Sequence, residues 1–140
     1  MDARLISFGL IEIGGRRFEH DVVVDGGVVR RRKKTASKAY RDQYGHTPLS
    51  PDEAIPWSAR LLIIGTGVSG QLPIMPELYE EARRRGRVTV GFAGYVGGRM
   101  AAADTIEHLF VVPSPSVHRI QEVQTTTYHV LWELTQQALG

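Results

Sequence analysis

The sequence predicts an α/β fold: an N-terminal antiparallel meander, a βαβ unit in a mixed sheet, and a long C-terminal helix. Three observations predict it. Short β-forming runs are separated by the glycine turns Gly14-Gly15 and Asp25-Gly26. A continuous apolar run, Leu61–Ile64, leads through a glycine-rich turn into an amphipathic stretch ending at Gly86. From Val117 onward, apolar residues recur at helical spacing to Leu139.

Taken in order, Leu5–Ile13, Arg16–Val24 and Val28–Lys34 read as three successive strands. The charges of VVRRRKK mark the third as an edge or an exit into solvent. Residues 35–59 carry Pro48, Pro51, Pro56 and Gly45 and show little periodicity, so they read as a long loop. Within it, Ser50-Pro51-Asp52-Glu53 has the pattern of a capped helix start, with room for one turn before Pro56. Leu61–Ile64 is expected as a central strand buried on both faces. A helix from Pro76 follows, its arginines Arg83–Arg85 at the negative end of the dipole and Gly86 at the C′ position. Val88–Ala93 is the next strand, closing a right-handed crossover. A short helical piece near Ala101–Asp104, a strand at Leu109–Val112 and the final helix complete the chain. The 140 residues are read as one composite domain with a join after Gly86.

Composition narrows the function. The absence of cysteine excludes disulfides, thiolate nucleophiles and zinc–thiolate sites. No apolar run approaches the roughly 20 residues of a membrane span. The opening MDARLISFGL has an early acid and no long apolar run, so it does not read as a secretory signal. A cytoplasmic protein with no membrane partner, cofactor or metal is the expectation. Net charge is only +2, yet Arg30–Lys34 with Lys38 and Arg41, and Arg83–Arg87, form two basic clusters. Few aromatics interleave with them, so nucleic acid is the least favoured partner.

Gly65-Thr66-Gly67-Val68-Ser69-Gly70 fits the GxGxxG pattern of dinucleotide sites. Two features argue against that use. Leu72 and Pro73 intervene before any helix, and the strand VTVGFAG ends without the ribose-binding acid. The Gly-Lys-Ser/Thr of a P-loop is missing too. A simpler anion site remains open, with Gly65, Thr66, Gly67, Ser69 and Gly70 offering hydroxyls and backbone N–H groups to a phosphate or carboxylate. The alternative is a turn that only lets a strand and a helix pack closely.

Two resemblances follow from longer stretches. FGLIEIGGRRFEHDVVV, RRKKTASK, YGHTPLSPDEAIPW and LLIIGTGVSGQLPIMPELYEEARRRG, within residues 8–86, resemble a small α/β domain family of unknown biochemical function. Its relatives include a mitochondrial complex I assembly factor and an adipogenesis-associated protein. The resemblance implies a compact domain and no mechanism. VTVGFAGYVGGRMAAAD, LFVVPSPS and HRIQEVQTTTYHVLWEL, within residues 87–140, resemble the closing part of a sugar isomerase (SIS) domain of the phosphoheptose isomerase type. That resemblance implies an active site lined by Gln121 and His129. The histidine would serve as acid or base in aldose–ketose proton transfer, a role suited to a group titrating near neutrality. It also implies a sugar phosphate as ligand and a homo-oligomer with shared sites. The glycine-asparagine turn, the partner glutamate and the serine-rich phosphate loop of those isomerases are not found here. A natural fusion, a truncated product and an engineered recombinant all fit such a composite. The expected function is an α/β domain without a complete catalytic set, binding protein or a small anion. The alternative is a phosphosugar-binding or isomerase-like module assembled between subunits.

Overall fold

A computed structural model describes residues 2–7, 9–66, 71–102 and 104–139. It divides into two compact units, Met1–Leu78 and Tyr79–Gly140. The predicted fold class holds: antiparallel sheets, a parallel strand pair and a long C-terminal helix.

The first unit begins with a meander of β1 (Ala3–Ser7), β2 (Leu10–Ile13) and β3 (Arg16–Phe18). A separate hairpin joins β4 (Val22–Asp25) to β5 (Val28–Arg31). The expected turns sit where the sequence places them. Gly14 and Gly15, and Gly26 and Gly27, all have positive φ, which a side-chain-free residue adopts without strain. Two expected strands are each split in two. Leu5–Ile13 is interrupted near Gly9, which has φ 78°, and Arg16–Val24 is interrupted at 19–21.

The long loop contains a 3₁₀ turn, Lys38–Tyr40, and the short α1, Arg41–Tyr44, which ends at left-handed Gly45. The capped helix start expected at Ser50–Glu53 does not form. Residues 51–53 make a turn, and Glu53 has a different role.

That role is to pair with Arg32. The Arg32 Nε donates to Glu53 Oε2 at 2.8 Å, and Nη2 donates to Glu53 Oε1 and to the Pro48 carbonyl, both at 2.6 Å. Nη1 donates to Asp21 Oδ2 at 3.2 Å, and Lys34 Nζ reaches the same oxygen at 2.8 Å. Ser37 and Ser50, both 0% exposed, complete the network. Ser37 Oγ donates to Glu53 Oε1 and lies 2.9 Å from Ser50 Oγ. A carboxylate only accepts and a hydroxyl has one proton, so Ser50 is the donor to Ser37. Burial alone would raise the Asp21 carboxyl, but Lys34 and Arg32 outweigh it and hold the group below its ordinary range. Burial likewise works against the Arg32 cation, and the Glu53 and Asp21 carboxylates more than offset it.

The expected central strand is a correction. Leu61–Ile64 is not assigned as strand, and Leu61 and Ile63 are 69% and 82% exposed. A strand exists only with a hydrogen-bonded neighbour, and this run pairs with none among the described residues. The parallel contact in this unit is instead a single bridge, Leu49 to Ile74, with Leu49 and Met75 buried beside it.

Helix α2, Pro76–Arg84, forms as predicted, and Gly86 takes the left-handed conformation with φ 68°. Backbone bonds from Gly86 N to Arg83 O and from Arg87 N to Ala82 O close its end. In the second unit, β6 (Val90–Gly94) runs through α3 (Gly98–Ala102) to the parallel β7 (His108–Val112). The βαβ unit is therefore this one, and not the expected crossover from Leu61. Phe92 and Phe110 stack across the pair at 5.4 Å. Helix α4, Val117–Leu139, follows. Ile120 anchors it at Gly94, where an added Cβ would lie 2.6 Å from Ile120 Cδ1.

Two predictions follow from the Arg32 network. Glu53→Ala leaves a buried guanidinium without its main partner and is expected to cost about 3–5 kcal/mol in denaturant unfolding. Asp21, with its carboxyl held below the ordinary value, contributes stability that is present above the unfolded carboxylate range. That contribution is lost as pH falls through the folded value. Melting temperature against pH should therefore drop below about pH 4 in the parent protein, and less steeply in Asp21→Asn.

Candidate functional site

Helix α4 carries both residues that the isomerase resemblance singles out. Its start is set by Ser114-Pro115-Ser116: Ser116 N donates to Ser114 Oγ, and Ile120 N donates to the Ser116 carbonyl. With about 100° per residue, Ile120, Val123, Thr127, Val130, Leu131 and Leu134 fall within an arc of about 100°. His118, Gln121, Glu122, Thr125, Thr126 and His129 lie on the opposite side. Threonines on a helix can return their hydroxyl protons to the backbone. Thr126 and Thr127 do so, to the carbonyls of Glu122 and Val123.

His118, Gln121, Glu122, Thr125 and Thr126 line an open hollow of about 460 Å³. Gln121 sits on this open surface of α4, with an amide that can both donate to and accept from a hydroxylated ligand. His129 lies one turn beyond Thr125 on the same face, exposed, with its ring against Tyr128 at 4.3 Å between centroids and 64° between planes. Gln121 and His129 are about 80° apart around the helix and about 12 Å apart along it. The face therefore brings Gln121 close to His118 and sets His129 further along. Sequence reasoning does not single out His118, Glu122, Thr125 or Thr126. Their i, i+3, i+4 and i+7 spacing was the available signal. Among the described residues, no group of three or more His, Asp or Glu side chains is placed to hold a metal ion.

The predicted anion turn belongs to the first unit. Gly65 and Thr66 are described there, and the Thr66 carbonyl accepts from Leu72 N at 3.1 Å. Gly67, Ser69 and Gly70 lie outside the described residues.

Part of each basic cluster is engaged with neighbouring carboxylates and carbonyls. Arg32 and Lys34 pair with Glu53 and Asp21, and Arg30 donates to the Ala54 carbonyl at 2.6 Å. Glu81 accepts from Arg84 at 2.6 Å and also from Arg85, and these bonds pull its carboxyl below the ordinary value. Cations already committed this way offer less charge to a nucleic acid. No helix among the described residues is long and apolar enough to cross a membrane.

No protein-family model matches the chain. No solved structure matches it. The chain is similar to curated phosphoheptose isomerases over about half its length. It is 43% identical to that of Desulfovibrio desulfuricans over 75 residues, 53% of this chain and 34% of the relative. Identity is 36% over 78 residues with the enzyme of a Roseiflexus species, 56% and 39% of the two chains. It is 34% over 86 residues with that of Trichlorobacter lovleyi, 61% and 41% of the two. The chain thus spans about two fifths or less of these relatives. The matches are longer than the stretch from Arg87 to Gly140, so the similarity takes in residues ahead of Arg87 as well. The resemblance of residues 8–86 to the small α/β family is not shown by these comparisons.

The exposed polar side chains of α4 do not hold the fold together. Gln121→Ala and His129→Ala should each change unfolding free energy by no more than about 0.5 kcal/mol, measured by chemical denaturation.

Proposed function

We propose that this chain is a SIS-type module that binds a sugar phosphate on the polar face of α4. The observation that carries the reading is the similarity to phosphoheptose isomerases over about half the chain, together with an exposed face of α4 that carries Gln121 and His129. Gln121 would hold a sugar oxygen through its amide. His129 would lie at the far end of the same face. In aldose–ketose interchange a base takes a proton from the carbon beside a carbonyl, and the proton is returned to the neighbouring carbon. An imidazole suits that exchange near neutral pH. The isomerases' partner glutamate and phosphate loop were not found in the sequence, so the proposal is binding, with turnover requiring groups from elsewhere. A second copy of the chain is the proposed source. The Gly65, Thr66, Gly67, Ser69 and Gly70 stretch is proposed separately, as a small-anion site of the first unit.

A second reading, a domain that acts through protein contacts, is favoured by the uncovered apolar side of α4, where Val123, Val130 and Leu134 are exposed.

Thermal unfolding separates the two. Sedoheptulose 7-phosphate at a hundredfold excess over its dissociation constant is expected to stabilise the protein by about 2.7 kcal/mol. Inorganic phosphate or the free sugar should give less, and Gln121→Ala and His129→Ala should reduce the shift. An unchanged melting temperature up to millimolar sugar phosphate would overturn the phosphosugar reading and leave the protein-contact one.

A further inference from the structure

The hairpin of β4 and β5 has two strands, so the outer side of β5 faces no neighbouring strand. The phase of its ladder decides which backbone groups are left over. Arg32 N donates to Asp21 O at 2.9 Å, which makes Asp21 and Arg32 a directly hydrogen-bonded pair. Such pairs alternate along an antiparallel ladder, so the next are Val23 with Arg30 and Asp25 with Val28, in the register observed. The two-residue Gly26-Gly27 turn, with both φ positive, closes on the last of them. Val29 and Arg31 fall between, and their N–H and C=O groups point away from β4. Among the described residues, no backbone bond outside the strands reaches either residue. The result is a row of donors and acceptors that repeats every about 6.8 Å along the edge.

Side chains alternate across the same strand. Arg30 and Arg32 share one face, where they bind the Ala54 and Pro48 carbonyls and Glu53. Val29 and Arg31 share the other. Arg31 is exposed, and Lys33 and Lys38, which follow it, are exposed too. Among the described residues, none of these three has a carboxylate partner. Asp21, the nearby acid, is already taken by Arg32 and Lys34. The open edge of β5 is therefore basic. Such an edge repels a second copy of itself, which is how many exposed strands avoid pairing with one another. It does not repel a strand of opposite charge. Nucleic acid matches the charge alone, because its phosphates only accept and its backbone does not alternate donors with acceptors as a strand edge requires. A polypeptide in extended form matches both.

We propose that β5 is a docking edge for an acidic, extended segment of a partner protein, which adds to the hairpin as a third, antiparallel strand. Antiparallel pairing is the more stable per residue. The residue opposite Arg31 then shares its face, with Cα atoms about 5.5 Å apart, and is an acid. A β-branched residue suits the place opposite Val29, and a second acid suits the place opposite Lys33. Read from its N-terminus, the partner segment carries acid-x-acid-x-valine. Backbone bonds supply affinity, and the acids supply selection. The proposal does not rest on the phosphosugar reading, since it uses the first unit alone and neither Gln121 nor His129.

A labelled peptide with the core Glu-Thr-Glu-Thr-Val-Thr, blocked at both ends, tests it by fluorescence anisotropy and amide hydrogen exchange on the full chain. The peptide should bind with a dissociation constant of about 100 μM or tighter at low salt. On binding, the Val29 and Arg31 amides should exchange at least about tenfold more slowly. Val28 and Arg30, already bonded to β4, should change little. A Lys-Thr-Lys-Thr-Val-Thr core should not bind. Arg31→Glu should weaken the acidic peptide by at least about tenfold, and the lysine core should bind that variant better than the parent. N-methylation of the peptide's second glutamate and its valine removes the N–H groups that face β5 and should abolish binding to the unsubstituted protein. No binding at about 1 mM peptide would overturn the proposal. So would equal binding of the N-methylated peptide, which leaves charge attraction alone, or unchanged exchange at Val29 and Arg31. A single-stranded oligonucleotide that binds through Arg31 and Lys33 while the peptide does not would overturn it in favour of nucleic acid.

Discussion

The first unit depends on one buried ion pair. Its strands are three to five residues long, and its sheets have three and two strands, so apolar burial along any one element is small. Arg32 compensates by binding three partners at once. Its guanidinium ties the residue after β5 to Glu53, to the Pro48 carbonyl and to Asp21 before β4, and Glu53 extends the set to Ser37 and Ser50. Taking two charges from water is unfavourable by several kcal/mol for each ion, so the pair holds only because nearly every polar atom finds a partner. Arginine suits this position because its planar fork meets a carboxylate with two parallel bonds, which a lysine cannot do. The network fixes the loop between residues 35 and 59, which otherwise has only short helical turns to order it.

The second unit is organised differently. Two parallel strands, β6 and β7, are joined by α3, and α4 returns after β7. Close approach at Gly94 decides where α4 can start, since any side chain there would displace Ile120. After that turn the helix has two independent faces. One carries polar side chains such as Gln121 and His129, and the other is an apolar stripe running from Ile120 to Leu134.

Similarity to phosphoheptose isomerases is partial on both sides. The shared sequence covers about half of this chain and no more than about two fifths of any of the three relatives. What the similarity carries is a shared stretch of sequence, on which the phosphosugar proposal rests. Whole-enzyme chemistry needs more groups than one helix face presents, since proton transfer between adjacent carbons also requires a substrate held by its phosphate and its hydroxyls. Within the Arg30–Lys34 cluster, the central cation Arg32 is buried against a carboxylate and adds little to the charge the cluster shows to solvent.

Much of the secondary structure was legible in the sequence because its signals are local. Gly14-Gly15 and Asp25-Gly26 ask for positive φ and receive it, Gly86 ends α2, and the period of the last stretch gives α4 with its whole length. The exchange of roles between Glu53 and its expected cap was not legible, because the partner lies 21 residues away and only folding brings it near. Nor was the fate of Leu61–Ile64: composition supplies a preference for strand, and only the tertiary structure supplies or withholds the neighbour. For the candidate site, Gln121 and His129 were readable from a motif, while the hollow that adds His118 and Glu122 required the helix to exist. The sequence by itself determined turns, helix lengths and the two faces of α4, since these follow from adjacent residues and fixed backbone geometry. The tertiary structure alone decided which charges are buried, which strands pair and which face of α4 is left uncovered, because each of these depends on groups far apart in the chain.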